Sequence, residues 1–245
     1  MAKRGAGQVT VACVPTAAMH MLPPVIRDYS AEHPDNRIRI LDVHANEVLQ
    51  AVLGGEAEFG LTLSGVDVPE LEVEALFEDP FVLACHRDHA LAKKKNVKWS
   101  DLEQHRVITV GRMSGNRALL DFGLPGNLPQ QRWTYEVQHS FWTGLGMVEA
   151  GIGVIAVPAL ALSGRRNPQL VSRPLVEPRL TRSVAVIRRR GVTLSPGLRS
   201  GQRAWTWASV TTGTRRLRRR GSSRRCGRRE RFPSSPQRIQ RRTPT

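Results

Sequence analysis

The alternation of apolar and polar residues is clearest between residues 137 and 158. Four apolar residues recur there at helical spacing: Trp142, Leu145, Val148 and Ile152. Gly151 stands where a helix end favours a residue with positive φ, and the apolar run 154–157 before Pro158 predicts a strand buried on both faces. This order predicts half of a parallel α/β layer, in which ligands bind at the carboxyl ends of the strands.

The first 63 residues alternate between predicted strands and predicted helices. Strands are expected at residues 8–14, 37–43 and 57–63 because each is a short run of β-favouring or alternating residues. The spacing of apolar residues over 19–29 predicts a helix that tolerates two prolines near its first turn, and 46–53 predicts a second helix. Residues 15–18 are predicted to form a turn. The order βαβαβ follows, with right-handed crossovers.

The second half of the chain repeats this alternation. Extended segments are expected at 71–77, 81–85, 106–110, 133–137, 170–175 and 183–188. Residues 99–102 resemble a capped helical turn, and a short helix is expected at 116–120, after Ser114. The chain is therefore predicted to be an α/β protein of two lobes with a cleft between them.

The charge of the chain is concentrated at one end. Its 245 residues include 37 Lys and Arg against 21 Asp and Glu, a formal net charge of +16. Residues 199–245 hold 15 Arg and a single acid, Glu230, which leaves 22 basic and 20 acidic residues in 1–198. The body is thus predicted to be an ordinary soluble domain without a nucleic-acid surface, followed by an Arg-rich tail that is predicted to be disordered.

Cysteine usage and hydropathy narrow the class of protein further. The three cysteines, Cys13, Cys85 and Cys226, show neither a disulfide framework nor metal-ligand spacing, which favours a reducing cytoplasm. No apolar run approaches the roughly 20 residues of a membrane span, and residues 1–7 precede no signal-like segment. We expect a cytoplasmic domain with no membrane contact, no metal and no cofactor.

Several segments together resemble the effector-binding ("substrate-binding") domain of LysR-type transcriptional regulators. They occur in the expected order: 15–16 with 21–23, 29–34, 54–61, 114–117, 148–158 and 189–196. Glu58 stands where that family usually has Asp. The resemblance covers roughly residues 7–198 and rests on the order and spacing of these segments along the chain.

The resemblance implies a type 2 periplasmic-binding-protein-like fold with a small effector, usually a metabolite or aromatic acid, between two subdomains. Subdomain I is expected to span about 8–80 and 182–198, and subdomain II about 81–181. Residues 1–7 are expected to be a disordered start, and residues 199–245 form the tail. It also implies a homodimer or heterodimer through this domain. The family's winged helix-turn-helix would precede residue 8, where no recognition helix fits, so no specific DNA contact by this chain is expected.

The candidate ligand contacts lie at predicted strand ends and helix starts, where free backbone N–H groups attract anions. They are Thr16 and Ala17, His44, Thr62, Ser114 and Gly115, and Trp142 and Thr143. The structural alternatives are helix capping for Thr16 and Ser114, a strand-end hydroxyl for Thr62, a surface role for His44 and core packing for Trp142.

Other chemistries have less support in the sequence. The segment 85–89 contains two histidines but no second cluster that would complete a metal site, and the acids between 70 and 79 are expected to face solvent rather than to catalyse. No nucleophile or phosphate-loop motif is found, so an enzyme is not expected. The alternatives left open are a free-standing small-molecule-binding protein, a non-functional regulator fragment and nonspecific nucleic-acid binding through the tail.

Overall fold

A computed structural model describes residues 7–65, 68–124, 133–138, 140–164 and 167–192. Its strands are β1 Gln8–Cys13, β2 Arg37–Asp42, β3 Phe59–Leu63, β4 Leu71–His86, β5 Val97–Lys98, β6 Val107–Val110, β7 Trp133–Val137, β8 Val154–Pro158, β9 Leu170–Val176 and β10 Thr181–Arg189. Its α-helices are α1 Pro15–His20, α2 Leu22–Glu32, α3 Ala45–Leu53, α4 Gly115–Gly123 and α5 Phe141–Glu149. Short 3₁₀ helices span Ala90–Lys93, Trp99–Gln104 and Ala159–Leu162.

The first lobe contains a parallel β-sheet that ends in an antiparallel strand. β1 lies between β2 and β3 and runs parallel to both, with Val11 opposite Ile40 on one side and Phe59 on the other. β10 then pairs antiparallel to β3. The predicted βαβαβ order is confirmed, and it brings the carboxyl ends of β1, β2 and β3 to one edge of the sheet.

Strand β4 connects the two lobes. Its first part pairs antiparallel to β10, and from Phe81 onward it pairs with β8 and β9 instead. The sequence predicted two extended segments here, but Pro80 does not interrupt the strand. The proline is tolerated because β4 changes partners at this point, next to the end of the β10 pairing at Thr181.

The second lobe repeats a parallel arrangement around β6. β6 lies between β7 and β8 and is parallel to both, while β9 carries the short parallel strand β5 on its outer side. The whole order of the described strands is β2-β1-β3-β10-β4-β8-β6-β7, with β9 and β5 off that path. The predicted two-lobed α/β architecture is confirmed.

Each lobe has its own apolar core. In the first lobe, Tyr29, Leu22, Leu61 and Ile187 are almost completely buried. In the second, Trp99 and Phe81 pack on one face of the sheet, and on the other Ile108, Leu145 and Ile155 form a separate cluster. Burying a side chain of this size contributes roughly 1.5–3 kcal/mol. Each lobe is therefore held together mainly by its own core.

The first helix departs from its prediction in two ways. Residues 15–18 were predicted to be a turn, but Pro15 begins α1, because its fixed φ suits the first position of a helix. The helix predicted over 19–29 is divided at Met21, since Pro23 and Pro24 have no N–H groups to continue the hydrogen bonds of α1. α2 begins afresh one residue later.

The helix and strand at 137–158 form as expected, with one exception. Gly151 has φ +73°, the left-handed conformation predicted for it after the end of α5. Leu145 and Val148 are fully buried, but Ile152 lies beyond the helix and is 36% exposed. Gly151 turns the chain before Ile152 can complete the apolar face.

Two predictions concern parts of the chain outside the described residues. The disordered start at 1–7 and the tail at 199–245 stay predictions, as do the exact subdomain limits, because residues 1–6 and 193–245 are not described. Within the described part, no helix is long and apolar enough to cross a membrane.

Candidate ligand-binding cleft

A cleft that is partly open to solvent lies where the two lobes meet. Four helices begin at its wall, one after each of the strands β1, β2, β6 and β7. The described lining residues are Val14, Pro15, Thr16, His44, Ala45, Leu63, Val110, Ser114, Gly115, Asn116, Phe141 and Arg182.

Local hydrogen bonds hold the starts of α3 and α4 in place. The His44 backbone N–H donates to Glu47 Oε2 at 3.0 Å, which closes the first turn of α3. In the second lobe, the buried Arg117 anchors α4 to β6 by donating to Thr109 Oγ1 at 3.2 Å and to the Val110 carbonyl at 3.3 Å. The Ser114 hydroxyl does not cap α4, so the expected capping role is not the one it has here.

Gly115 allows the lobes to approach each other closely. A Cβ atom at this position would lie 3.1 Å from Leu63 Cδ1 and 3.4 Å from Ala45 Cβ, both of which belong to the first lobe. The first residue of α4 thus touches the opposite wall of the cavity. A larger side chain here would have to fill the cavity or push the lobes apart.

The most unusual pair of side chains at the cavity is Arg182 with Asp79. Their side chains are only 2% and 3% exposed, and Arg182 Nη2 lies 2.7 Å from Asp79 Oδ2. The two residues face each other in the register of β10 and β4, at the point where both strands pass between the lobes. The other oxygen of Asp79 accepts a hydrogen bond from the Leu160 backbone N–H at 2.9 Å.

The Arg182 guanidinium also contacts both walls of the cleft. Nη2 donates to Thr16 Oγ1 at 2.8 Å in the first lobe, and Nη1 donates to Asn116 Oδ1 at 3.0 Å in the second. Burial lowers the pKa of Arg182, while the attraction and hydrogen bonds of Asp79 raise it. The cation is therefore stabilised by its partners rather than by solvent.

The sequence analysis did not identify Arg182 or Asp79 as site residues. Arg182 shares one face of β10 with Val184 and Val186, which are both buried, and this alternation was a usable signal of a buried cation. Asp79 followed a run of exposed acids and could not be separated from them by pattern alone.

The structure brings half of the predicted site residues to the cavity. Thr16, His44, Ser114 and Gly115 line it. The other four are outside the described lining: Ala17, Thr62, Trp142 and Thr143. Whether any of the eight contacts a ligand stays a prediction.

The four residues outside the lining have clear structural reasons for their positions. Ala17 is completely buried in the first core, and Thr62 is buried in β3 opposite Ala185 of β10. Thr143 faces solvent. Trp142 is half-buried with its ring 6.0 Å from that of His20, so the aromatic wall of the cavity is the preceding residue, Phe141.

The described cysteines are poorly suited to thiol chemistry. Cys13 is fully buried at the end of β1, and burial, assisted by the nearby charge of Asp42, raises its pKa to about 12. Cys85 is also fully buried, and burial raises its pKa as well. Because the thiolate is the reactive form, neither residue is set up to react with an oxidant.

Three histidines, His86, His89 and His105, lie close together on the second lobe. The rings of His89 and His105 are 4.8 Å apart, and His89 Nδ1 accepts a hydrogen bond from the Leu91 backbone N–H at 3.2 Å. Among the described residues, no group of three or more His, Cys, Asp or Glu is arranged to hold a metal ion. His89 thus caps the 3₁₀ helix Ala90–Lys93.

The histidine cluster should make the fold sensitive to acid. Burial, with the nearby charges of His105 and His86, lowers the pKa of His89 below 6.5. Protonation is thus more favourable in the unfolded chain, so stability should fall as the pH drops below 6.5. Urea denaturation at neutral pH and at about pH 5 should show that the free energy of unfolding falls less on acidification in His89→Asn than in the unaltered chain. Asparagine keeps an acceptor for the Leu91 N–H but cannot titrate. An equal loss in both proteins would contradict this assignment.

The fold and the cavity define a class of protein: a two-lobed α/β domain with a cleft between its lobes. Comparison with known proteins gives the family. The model of the LysR substrate binding domain matches residues 2–200. The chain belongs to the LysR family through this domain, and the predicted resemblance is confirmed.

Two regulators of the family illustrate the similarity. The chain is 40% identical over 190 residues to the uncharacterized HTH-type transcriptional regulator YbhD of Escherichia coli K12, a match that covers 78% of this chain and 60% of YbhD. It is 33% identical over 196 residues to YfeR of Shigella flexneri, covering 80% and 63% of the two chains. The chain thus spans less than two thirds of the length of these regulators.

Solved structures confirm the type 2 periplasmic-binding-protein-like fold. The reduced OxyR regulatory domain of Pseudomonas aeruginosa is 20% identical with a TM-score of 0.70, covering 84% of this chain and 98% of that one. The C-terminal domain of a probable LysR family regulator from Rhodococcus sp. RHA1 is 24% identical with a TM-score of 0.67, covering 81% and 98%. At these identities the likeness concerns the fold.

Proposed function

We propose that this domain senses a small organic or aromatic acid, bound in the cleft between its lobes. Binding changes the relative orientation of the lobes and so the geometry of a homodimer or heterodimer. A DNA-binding module, in the same protein or in a partner chain, reads that change and alters transcription in the cytoplasm. The observation that supports this proposal best is the cavity at which four helices begin.

The lining of the cavity suits a molecule with an acidic end and an apolar body. Helix starts offer backbone N–H groups and a partial positive charge, and the Arg182 cation also lines the cavity. Val14, Leu63, Val110 and Phe141 form the apolar part of the wall. A neutral sugar or a cation could not use the partial positive charge of the helix starts in the same way.

The position of the cavity explains how binding could be transmitted. Its walls belong to different lobes, so a ligand that touches Thr16 and Ser114 makes all of its contacts only in one relative arrangement of the lobes. A ligand shifts a conformational equilibrium by its difference in affinity for the two states. The family assembles through this domain, so a change between lobes would reach a neighbouring chain.

The alternatives differ in what they require of the chain. A free-standing binding protein would use the same cleft but no partner, and a non-functional fragment would bind nothing. An enzyme on this fold needs convergent acid–base groups, whereas the described lining contains His44 as the only titratable side chain besides Arg182. Nucleic-acid binding through the tail concerns residues 199–245, outside the described residues.

A thermal-shift screen of organic acids and aromatic metabolites tests the proposal on the full chain. A ligand at about a hundredfold excess over its Kd stabilises the native state by about 2.7 kcal/mol. For a domain of this size we expect a rise in Tm of about 5–10 °C for the correct class of acid. A panel in which no compound exceeds the effect of chloride at the same ionic strength would contradict the proposal.

A further inference from the structure

The Arg182 guanidinium has one N–H donor that its described protein partners do not use. Arginine has five N–H donors. Nε donates to Asp79, the two N–H groups of Nη2 serve Asp79 and Thr16, and one N–H of Nη1 serves Asn116. The second N–H of Nη1 has no acceptor among the described residues, although the side chain is 2% exposed and lines the cavity.

The unused donor lies beside the start of α4. Nη1 is 3.0 Å from Asn116 Oδ1, and Asn116 is the second residue of the nine-residue helix α4. The first N–H groups of a helix have no partner within the helix. An anion placed at Nη1 would therefore meet a charged donor and the positive end of a helix together, which a neutral ligand could not use equally.

We propose that Arg182 is the specificity-determining residue of the cleft, binding the carboxylate of the effector through the free N–H of Nη1. This rests on the proposed function of the cleft and names the group that selects its ligand. Asp79 and Thr16 hold the guanidinium in position by occupying Nε and Nη2. Asn116 shares Nη1 with the ligand, so recognition of the acid is linked to the contact that joins the two lobes.

The role of Asn116 predicts whether its substitution strengthens or weakens acid binding. Removing its side chain frees a second N–H on Nη1, which allows a carboxylate to bind with both oxygens. Asn116→Ala should therefore tighten acid binding several-fold while it removes one hydrogen bond between the lobes. Asn96 lies in an exposed loop of the second lobe, and Asn96→Ala is the matched control, which should leave acid binding unchanged.

The test is an NMR titration of the full, isotope-labelled chain with matched acids and amides: acetate, propionate and benzoate against acetamide, propionamide and benzamide. The backbone resonances of Gly115 and Asn116 report the cleft and are separate from any anion bound by the Arg-rich tail. We expect the acids to shift these resonances and the amides to bind at least about tenfold more weakly, as befits loss of a charge-assisted hydrogen bond.

The double variant Asp79→Asn with Arg182→Gln removes both charges of the buried pair without leaving one unpaired. It should lose the preference for acids over amides. Two results with the unaltered chain would overturn the proposal: amides that bind as well as acids, or acids that leave the Gly115 resonance unaffected. Two results with variants would also overturn it: a double variant that keeps the preference for acids, or Asn116→Ala that fails to tighten acid binding. The Asn116→Ala result decides the matter even if the double variant does not fold. Amides that shift Gly115 as strongly as acids would refute the role of Arg182 and leave the cleft as a ligand site.

Discussion

Replacing Arg182 with Met is expected to lower the free energy of unfolding by about 3–5 kcal/mol, as removal of one member of a buried ion pair does. The substitution leaves the Asp79 carboxylate buried without its cation, and Thr16 and Asn116 lose a shared donor. Urea denaturation of the full chain at neutral pH measures the effect. It should be among the largest caused by any single polar substitution in the described part of the chain.

Arg188→Met is the matched control, because Arg188 lies on the same strand. Its partner is Glu72, and the two side chains are 48% and 36% exposed. Exposed ion pairs contribute at most about 1 kcal/mol, so this variant should be close to the unaltered chain. Equal losses for Arg182→Met and Arg188→Met would show that the buried pair has no special role.

Adding Asp79→Asn to Arg182→Met should recover much of the lost stability. Asparagine is uncharged and retains an oxygen for the Leu160 N–H, so the double variant buries no unpaired charge. The double-mutant cycle then isolates the coupling between the two residues. Additive losses from the two single substitutions would contradict a direct interaction.

Substituting Gly115 with Leu is expected to abolish ligand binding in the cleft, with a loss of affinity of about a hundredfold or more, equivalent to about 2.7 kcal/mol. A Cβ at this position already meets Leu63 and Ala45, so the rest of the leucine side chain must occupy the cavity. The measurement is the rise in Tm caused by the acid that stabilises the unaltered chain most.

Gly146→Leu provides the control for this substitution. Gly146 lies within α5, and a Cβ there meets no atom within 4 Å. Leucine also has a higher helix propensity than glycine, so the variant should fold and bind as the unaltered chain does. Full ligand response in Gly115→Leu would show that the ligand binds elsewhere.

Much of the fold could be predicted from the sequence because its signals are local. The spacing of apolar residues and the position of Gly151 gave α5 and β8, and the alternation over 37–43 gave β2. Pro15 and Pro80 were harder to interpret. A proline indicates a break in regular structure, but whether it begins a helix or lies where a strand changes partners depends on neighbours distant in the sequence.

The candidate cleft could be predicted only in part, for a related reason. Strand ends and helix starts converge in any fold of this class, which is why Thr16, His44, Ser114 and Gly115 reach the cavity. Trp142 and Thr143 are predicted to border the cleft because they open α5, but the residue of α5 that lines it is Phe141, one position earlier. Arg182 and Asp79 are 103 positions apart, and their pairing depends on the register of β10 with β4.

A crystal structure of the full chain with a bromine-substituted form of the best acid from the screen examines the cleft directly, because anomalous scattering locates the bromine without interpretation of weak density. The bromine peak should lie in the cavity between α1 and α4, with the carboxylate in contact with Arg182 and the start of α4. A single peak on the outer surface of either lobe, with the cavity free of ligand, would contradict a binding site between the lobes.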